Sequence, residues 1–260
     1  MLGSNAMAAA FIVVLASGCA QSQHAARIGN WLSPQPPSFL TGPIAVLLTN
    51  TGGFSAHVVM TTERSAKVPG IVSGELLGWE GKLLFAPKYD KATEKNYRAA
   101  GLSFVWDITG SSGFILSEAL QAFAPMSSDF RATNIVVEHG NLASEKVDGH
   151  LCAPGRVTLF SSDGSTAMFD VWRATDAKSF PLRIREVGRP EPRTLEFSSL
   201  RLGALRAELF RPPEGFTRYE SAEGMMAELA TRQANLKRRD SSVTLEDQPP
   251  GMPSRPPGGH

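Results

Sequence analysis

The chain has 260 residues, of which 42% are hydrophobic and 8% aromatic, and its 26 Lys and Arg against 25 Asp and Glu give a formal net charge of +1. This balance disfavours a dedicated nucleic-acid-binding protein and an acidic disordered chain. The 24 Gly and 18 Pro residues favour short strands joined by turns over a helical bundle.

The N-terminus begins with eighteen residues that carry no charged side chain and include an apolar run, MAAAFIVVLA, at residues 7–16. Ten helical residues span about 15 Å, half of a bilayer core, so the run is typical of a signal peptide and too short for a membrane span. An Ala-Ser-Gly triplet precedes Cys19, as in the lipobox of bacterial lipoproteins. We therefore expect a signal peptide over residues 1–18 and a lipid anchor on Cys19, with ordinary cleavage near Ala20 as the alternative.

Proline-rich stretches flank the central part of the chain. Residues 19–43 are polar and contain Pro34, Pro36 and Pro37, and residues 240–260 contain five prolines and three glycines. We expect a flexible tether over residues 19–43, one folded domain over residues 44–239 and a disordered tail over residues 240–260.

Apolar residues repeat at every second position in the central part. Phe54, Ala56, Val58 and Met60 alternate with more polar neighbours, and residues 102–108 repeat the pattern, which is typical of a sheet with one buried face. Further strands are predicted over residues 74–86, 114–125, 131–139, 156–161, 165–173, 181–187 and 193–202. A helix is the alternative for residues 115–123. These roughly nine strands, without helices between them, predict an antiparallel meander.

One long helix is predicted after the strands, from the N-cap Ser221 through the apolar Met225, Met226 and Leu229 to about Arg239. A shorter helix is a candidate over residues 90–100. Nine strands spaced about 4.8 Å apart are over 40 Å wide, whereas one helix covers roughly 10–12 Å. We therefore expect a mainly β (α+β) fold, a strongly curved antiparallel half-barrel whose C-terminal helix covers part of the concave face.

Two short motifs and a closing segment follow in order along the chain: residues 169–173 (FDVWR), 180–184 (FPLRI) and 209–216 (LFRPPEGF). Together with the lipobox and the meander, this layout resembles the LolA/LolB-like bacterial envelope lipoproteins, and the resemblance covers about residues 49–239. It implies a half-barrel whose apolar concave face holds acyl chains. LolB-like proteins are themselves acylated and receive lipoproteins through a projecting loop, which has no identifiable counterpart in this sequence.

Large apolar side chains at strand spacing are the candidates for lining such a groove, or else for filling the core. They are Phe54, Met60, Trp79, Phe104, Trp106 and Trp172. The histidines His57, His139 and His150 lack the paired spacing of a zinc site, and Cys152 is expected to be a small buried side chain. No nucleophile elbow, phosphate-binding loop or metalloprotease motif occurs, so we predict no catalytic residues, no metal, no cofactor and no enzymatic activity.

Two functions remain open. The first is a cell-envelope lipoprotein that binds or carries a hydrophobic ligand, such as a lipid or an acyl chain, in the curved groove. The second is a non-catalytic interaction or structural lipoprotein that uses the fold as a scaffold and recruits a partner through its Pro-rich tail. In both cases we expect a periplasm-facing protein attached to a membrane by its lipid, and Ala20 after Cys19 favours the outer membrane.

Overall fold

Thirteen strands form one sheet in the computed structural model, which describes residues 36–62, 70–88, 101–128, 130–138 and 143–246. The strands are β1 (Phe54–Thr62), β2 (Gly70–Trp79), β3 (Lys82–Lys88), β4 (Leu102–Asp107), β5 (Ser112–Ser117), β6 (Ala122–Ser127), β7 (Ala132–Glu138), β8 (Glu145–Val147), β9 (His150–Ser161), β10 (Thr166–Ala174), β11 (Pro181–Val187), β12 (Arg193–Leu202) and β13 (Thr217–Arg218). The helices are α1 (Ser38–Thr41), α2 (Pro43–Val46) and α3 (Ala222–Glu246), with a 3₁₀ turn at Ala207–Phe210.

The sheet consists of two meanders joined in the middle. Its order is β13-β6-β5-β4-β3-β2-β1-β12-β11-β10-β9-β7, with β8 paired to β9, and only the β13–β6 pairing is parallel among the strands described. The mainly β meander is confirmed. The predicted number of nine strands is too low, partly because residues 74–86 and 114–125 each contain a tight turn. Glu80 and Gln121 take positive φ angles there, of 47° and 49°.

A short connection forces the sheet to curl. β6 and β7 are consecutive in the chain, yet ten steps separate them in the sheet order. Ten steps measure about 48 Å in a flat sheet, whereas the five residue-to-residue steps from Ser127 to Ala132 reach at most about 18 Å. The two ends of the sheet must therefore approach each other, which gives the open half-barrel.

The concave face carries the main core. Phe54, Ala56 and Val58 of β1 are each at most 2% exposed, and the residues between them are only half-buried. Three segments other than the sheet cover this face: α1, α2 and the first two turns of α3, which contribute Met225, Met226 and Leu229 to the core cluster. The expected C-terminal helix on the concave face is thus confirmed.

The folded part begins earlier than the predicted boundary at Ile44. Phe39 and Leu40, placed in the expected flexible tether, are 0% exposed, and the Phe39 ring meets that of Phe85 edge-on at 5.1 Å. Ser38 accepts a hydrogen bond from Arg193. The boundary is corrected because the concave face needs more apolar cover than one helix provides, and a Pro-rich, apparently polar stretch supplies it.

The folded part also ends later than predicted. The helix α3 continues to Glu246, past the predicted end near Arg239 and into the expected tail. Residues 1–35, 89–100 and 247–260, which include the predicted signal peptide, Cys19, the second helix candidate and the Pro-rich end of the tail, lie outside the described residues.

The convex face has its own smaller cover. After β12 the chain crosses the outside of the sheet, and Phe210 packs with Val105 and Leu116 in a second cluster. β13 then pairs with the edge strand β6, and α3 begins on the opposite, concave side. Residues 209–216, the closing segment noted in the sequence, therefore form part of a strap that wraps around one end of the sheet.

We predict that Phe39→Ala lowers the free energy of unfolding by about 3–5 kcal/mol, because it leaves a cavity under α1. Chemical denaturation of the full chain measures this loss. Phe39→Leu, which keeps most of the apolar volume, serves as the control and should cost clearly less. A loss below about 1 kcal/mol for the alanine variant would mean that α1 is not part of the folded unit.

Candidate functional site

Two clefts lie on either side of α2 and the turn that follows it. The first encloses about 310 Å³ between α2, the β4–β5 turn and the start of β7, and Trp106, Ile108, Phe130 and Arg131 are among its lining residues. The second encloses about 330 Å³ and is lined by Val46, Leu47, Asn50, Thr51, Ile135, Val137, Arg173, Lys178 and Ser179. Val46 lines both clefts.

The apolar wall of the second cleft is the concave side of β7. Ile135 pairs with Leu159 and Val137 with Val157, and directly paired residues of antiparallel strands lie on the same face. Leu159 and Val157 are 1% exposed and belong to the core, whereas Ile135 and Val137 are 45% and 55% exposed. Ile135 and Val137, which form the last row of side chains on the concave face, are therefore left uncovered.

The rim of this cleft is basic. Arg173 is half-buried, and its guanidinium donates a hydrogen bond to the backbone carbonyl of Ser179 at 3.3 Å. No carboxylate of the described residues forms an ion pair with it, and loss of water contact lowers the pKa of Arg173 below its usual value. Lys178 lies exposed beside it. The cleft thus combines an apolar wall with a cation at its mouth that has no carboxylate partner among the described residues.

The six predicted groove residues divide into three groups. Phe54, Met60, Phe104 and Trp106 are at most 7% exposed in the main core, and only Trp106 of these also borders a cleft. Trp79 lies on the convex side, where its ring stacks on Phe210 at 6.2 Å.

The sixth residue, Trp172, is half-buried against the core, and the Arg183 guanidinium sits 5.5 Å from its ring. Most of the predicted groove is therefore occupied by protein, and a ligand-contacting role for these six residues stays a prediction.

The histidine and cysteine candidates are placed separately. The Nδ1 atom of His57 is 3.4 Å from Oε1 of Glu75, and that of His150 is 2.9 Å from Oδ1 of Asp176. Cys152 is 0% exposed. No group of three potential ligands in the described part of the chain is arranged to hold a metal ion, and His139 lies outside that part.

Sequence reasoning missed the cleft residues for identifiable reasons. Ile135, Val136 and Val137 form an uninterrupted apolar triplet, which indicates a strand with apolar side chains on both faces and gives no sign of which face stays uncovered. Val46 and Arg173 lie far apart in the sequence, and only the folded chain brings them to the same cleft.

Solved structures of low sequence identity are similar to this chain. No protein-family model and no curated protein matches the chain. Among solved structures, it is similar to a LolA superfamily protein from Nitrosomonas europaea, with 11% identity, a TM-score of 0.40 and coverage of 67% of this chain and 96% of the other. The sequence predicted a resemblance to LolA/LolB-like proteins, and this similar structure carries that superfamily name.

Two further solved structures are also similar to this chain. One is a putative outer membrane lipoprotein-sorting protein domain from Vibrio parahaemolyticus, with 13% identity, a TM-score of 0.36 and coverage of 72% of this chain and 95% of the other. The other is the lipoprotein LppX of Mycobacterium tuberculosis, with 14% identity, a TM-score of 0.33 and coverage of 66% and 99%. Within the residues described, no helix has the length and apolar character needed to cross a membrane.

We predict that Cys152 is inert in the folded protein. Burial raises the pKa of its thiol, and the nearby carboxylates of Asp176 and Glu145 act in the same direction, so little reactive thiolate forms at neutral pH. In a Cys19→Ser full chain, a chromogenic thiol reagent should detect no fast thiol in buffer and one thiol per chain after denaturation. A fast reaction of the native protein would contradict the burial of Cys152.

Proposed function

We propose that this chain is a non-catalytic, lipid-anchored protein of the bacterial cell envelope that binds one acyl chain of an anionic amphiphile in the cleft between α2 and β7. The observation that carries the proposal is the uncovered concave row of β7: Ile135 and Val137 stay half-exposed beside a cleft of about 330 Å³. Core strands bury such residues unless another molecule covers them.

The ligand class follows from the two ends of the cleft. Val46 and Leu47 face Ile135 and Val137 across it, which suits a hydrocarbon chain. Arg173 at the rim has lost part of its hydration without gaining a carboxylate partner among the described residues, so an anionic headgroup would regain that interaction. The volume lies at the lower end of the roughly 300–1,000 Å³ typical of ligand pockets, which favours one chain over a multi-chain lipid.

A scaffold role is the second candidate, and a specific observation favours it. The centre of the concave face is filled by the chain itself, with Phe39, Ile44 and Met225 each at most 1% exposed. A protein whose interior is already complete can serve as a rigid body for a partner. The two candidates differ in whether the cleft beside α2 binds an amphiphile.

We predict that Arg173→Gln weakens binding of palmitate to the full chain by about 10- to 100-fold, because a charge-assisted hydrogen bond contributes about 1.5–3 kcal/mol. Displacement of a fluorescent fatty acid measures the affinity. Arg189→Gln removes the same charge from an exposed position away from the cleft and should leave the affinity unchanged. Palmityl alcohol, which lacks the carboxylate, should bind both variants and the parent equally.

Two results would count against the amphiphile proposal. If palmitate does not displace the probe from the parent chain at all, the scaffold role is preferred. If Arg173→Gln and Arg189→Gln weaken binding by the same factor, the effect is one of net charge and Arg173 has no special part.

The envelope location rests on the lipobox, and it has its own prediction. Cys19→Ser should abolish incorporation of a labelled fatty acid in bacterial cells and move the chain from the detergent phase to the aqueous phase, because the anchor would be lost. The folded domain should be unaffected. Equal labelling of parent and variant, or a mature N-terminus at Ala20 in the parent, would contradict lipid anchoring at Cys19.

A further inference from the structure

The mouth of the cleft between α2 and β7 holds a second cation. Lys178 lines it together with Arg173, and Asn50 and Ser179 add an amide and a hydroxyl group. No Asp or Glu of the described residues is among the lining residues. Two positive charges therefore share one opening that has no carboxylate of the described residues in its wall.

The carboxylate that is closest to this opening in the sequence has another partner. Asp176 lies two residues before Lys178, and its Oδ1 atom is 2.9 Å from Nδ1 of His150 at the start of β9. Within the described part of the chain, neither Lys178 nor Arg173 forms an ion pair. Both cations are therefore available to the anionic group of a ligand.

The turn that carries Lys178 has a fixed path. Lys178 and Ser179 have φ angles of 52° and 57°, in the left-handed region that residues other than glycine seldom occupy. The backbone N–H of Ala174 donates to the carbonyl of Phe180 at 2.9 Å, and that of Ser179 donates to the carbonyl of Ala174 at 3.1 Å. The Arg173 guanidinium adds its bond to the Ser179 carbonyl. Arg173 and Lys178 are thus brought to the same mouth before any ligand binds, which lowers the cost of ordering them.

The turn is also attached to the strand β9. The backbone N–H and the hydroxyl group of Thr175 both donate to the carbonyl of Leu151, at 2.9 and 3.0 Å. The contact between His150 and Asp176 is a further link between the same two segments. Unusual backbone angles persist where surrounding contacts fix them, and they are frequent at ligand sites.

The groups at this mouth suit a phosphate better than a carboxylate. The Arg173 and Lys178 side chains are hydrogen-bond donors only, and both are common partners of phosphate groups. A carboxylate offers two oxygens in one plane and a single charge. A phosphate monoester offers three terminal oxygens in different directions and a charge of about −1.5 to −2 near neutral pH. It therefore matches two neighbouring cations in charge and in number of acceptors.

We propose that the amphiphile bound between α2 and β7 is a phosphate monoester with one hydrocarbon chain. The chain lies against Ile135 and Val137, and the phosphate is bound by Arg173 and Lys178. This inference rests on the proposed function, because it names the headgroup of the same ligand. Lys178 is then the residue that distinguishes a doubly charged headgroup from a singly charged one.

Two synthetic ligands isolate the second charge. Hexadecyl phosphate carries a charge of about −2 at about pH 8, because the second pKa of a phosphate monoester is about 6, whereas its methyl ester carries a single charge. Displacement of a fluorescent fatty acid from a Cys19→Ser full chain, with both ligands below their micelle concentrations, gives the two affinities. We expect hexadecyl phosphate to bind about fivefold more tightly than the methyl ester, the upper range for one exposed ion pair.

Substitutions of lysine assign this preference to one residue. Lys178→Gln should remove it, so that the two ligands bind with similar affinity, and Lys178→Arg should retain it. Lys88→Gln removes the same charge from an exposed position at the end of β3 that does not line the cleft, and it should leave the preference unchanged. Lys178 is exposed, so the variants should fold like the parent chain, which circular dichroism checks.

Inorganic phosphate distinguishes a lipid headgroup from a free anion. It has no chain to cover Ile135 and Val137, so it should not displace the probe even at about 100-fold the concentration of hexadecyl phosphate that does so. Displacement by inorganic phosphate at the same concentration as hexadecyl phosphate would overturn the inference, because the chain would then contribute nothing to binding.

The outcomes separate this inference from the proposed function. If neither palmitate nor hexadecyl phosphate displaces the probe, both proposals are wrong. If palmitate, hexadecyl phosphate and the methyl ester all bind with the same affinity, the cleft still binds amphiphiles and only the phosphate inference is overturned. Equal loss of the preference in Lys178→Gln and Lys88→Gln would also overturn it, because net charge would then explain the preference.

Discussion

The structure depends on the need to cover the concave face of one very broad sheet. The short link between β6 and β7 draws the two ends of the sheet together, and the resulting hollow must be filled by apolar side chains or by another molecule. Two segments from opposite ends of the chain meet there: α1 and α2 from before the first strand, and α3 from after the last. Most of the hollow is thereby closed by the protein itself.

This division of the concave face determines where a ligand can bind. The centre, around Phe54 and Phe85, is sealed, whereas the row formed by Ile135 and Val137 is not. The helix α2 lies between the two clefts, and its residue Val46 lines both. Arg173 at the rim, which has no carboxylate partner among the described residues, adds a polar requirement to an otherwise apolar site, and the proposed ligand class follows from that combination.

The sequence predicted the architecture well where one physical signal dominated. The alternation of apolar residues predicted the strands Phe54–Thr62 and Leu102–Asp107. The difference in width between the sheet and one helix predicted that the sheet is curved. The turn after Ser117 was missed because Glu118-Ala119-Leu120-Gln121 contains no Gly or Pro, although Gln121 takes a positive φ. The helices α1 and α2 have four residues each, too few to show a helical period.

The candidate site was much less predictable. Large aromatic residues such as Trp106 and Trp79 are conspicuous in a sequence, but size alone does not distinguish a core position from a groove position, and the strap over Trp79 is a long-range feature. The cleft is instead made by smaller residues from three distant segments, which only the folded chain brings together.

The most direct test of the central claim is a crystal structure of the full chain carrying Cys19→Ser, grown with palmitate that bears a bromine atom at its methyl end. Anomalous diffraction locates the bromine without ambiguity. We predict a peak inside the cleft between Val46 and Ile135, with the carboxylate within hydrogen-bonding distance of Arg173. Bromine bound elsewhere on the protein, with the cleft empty of it, would contradict the proposal that the uncovered row of β7 is the ligand site.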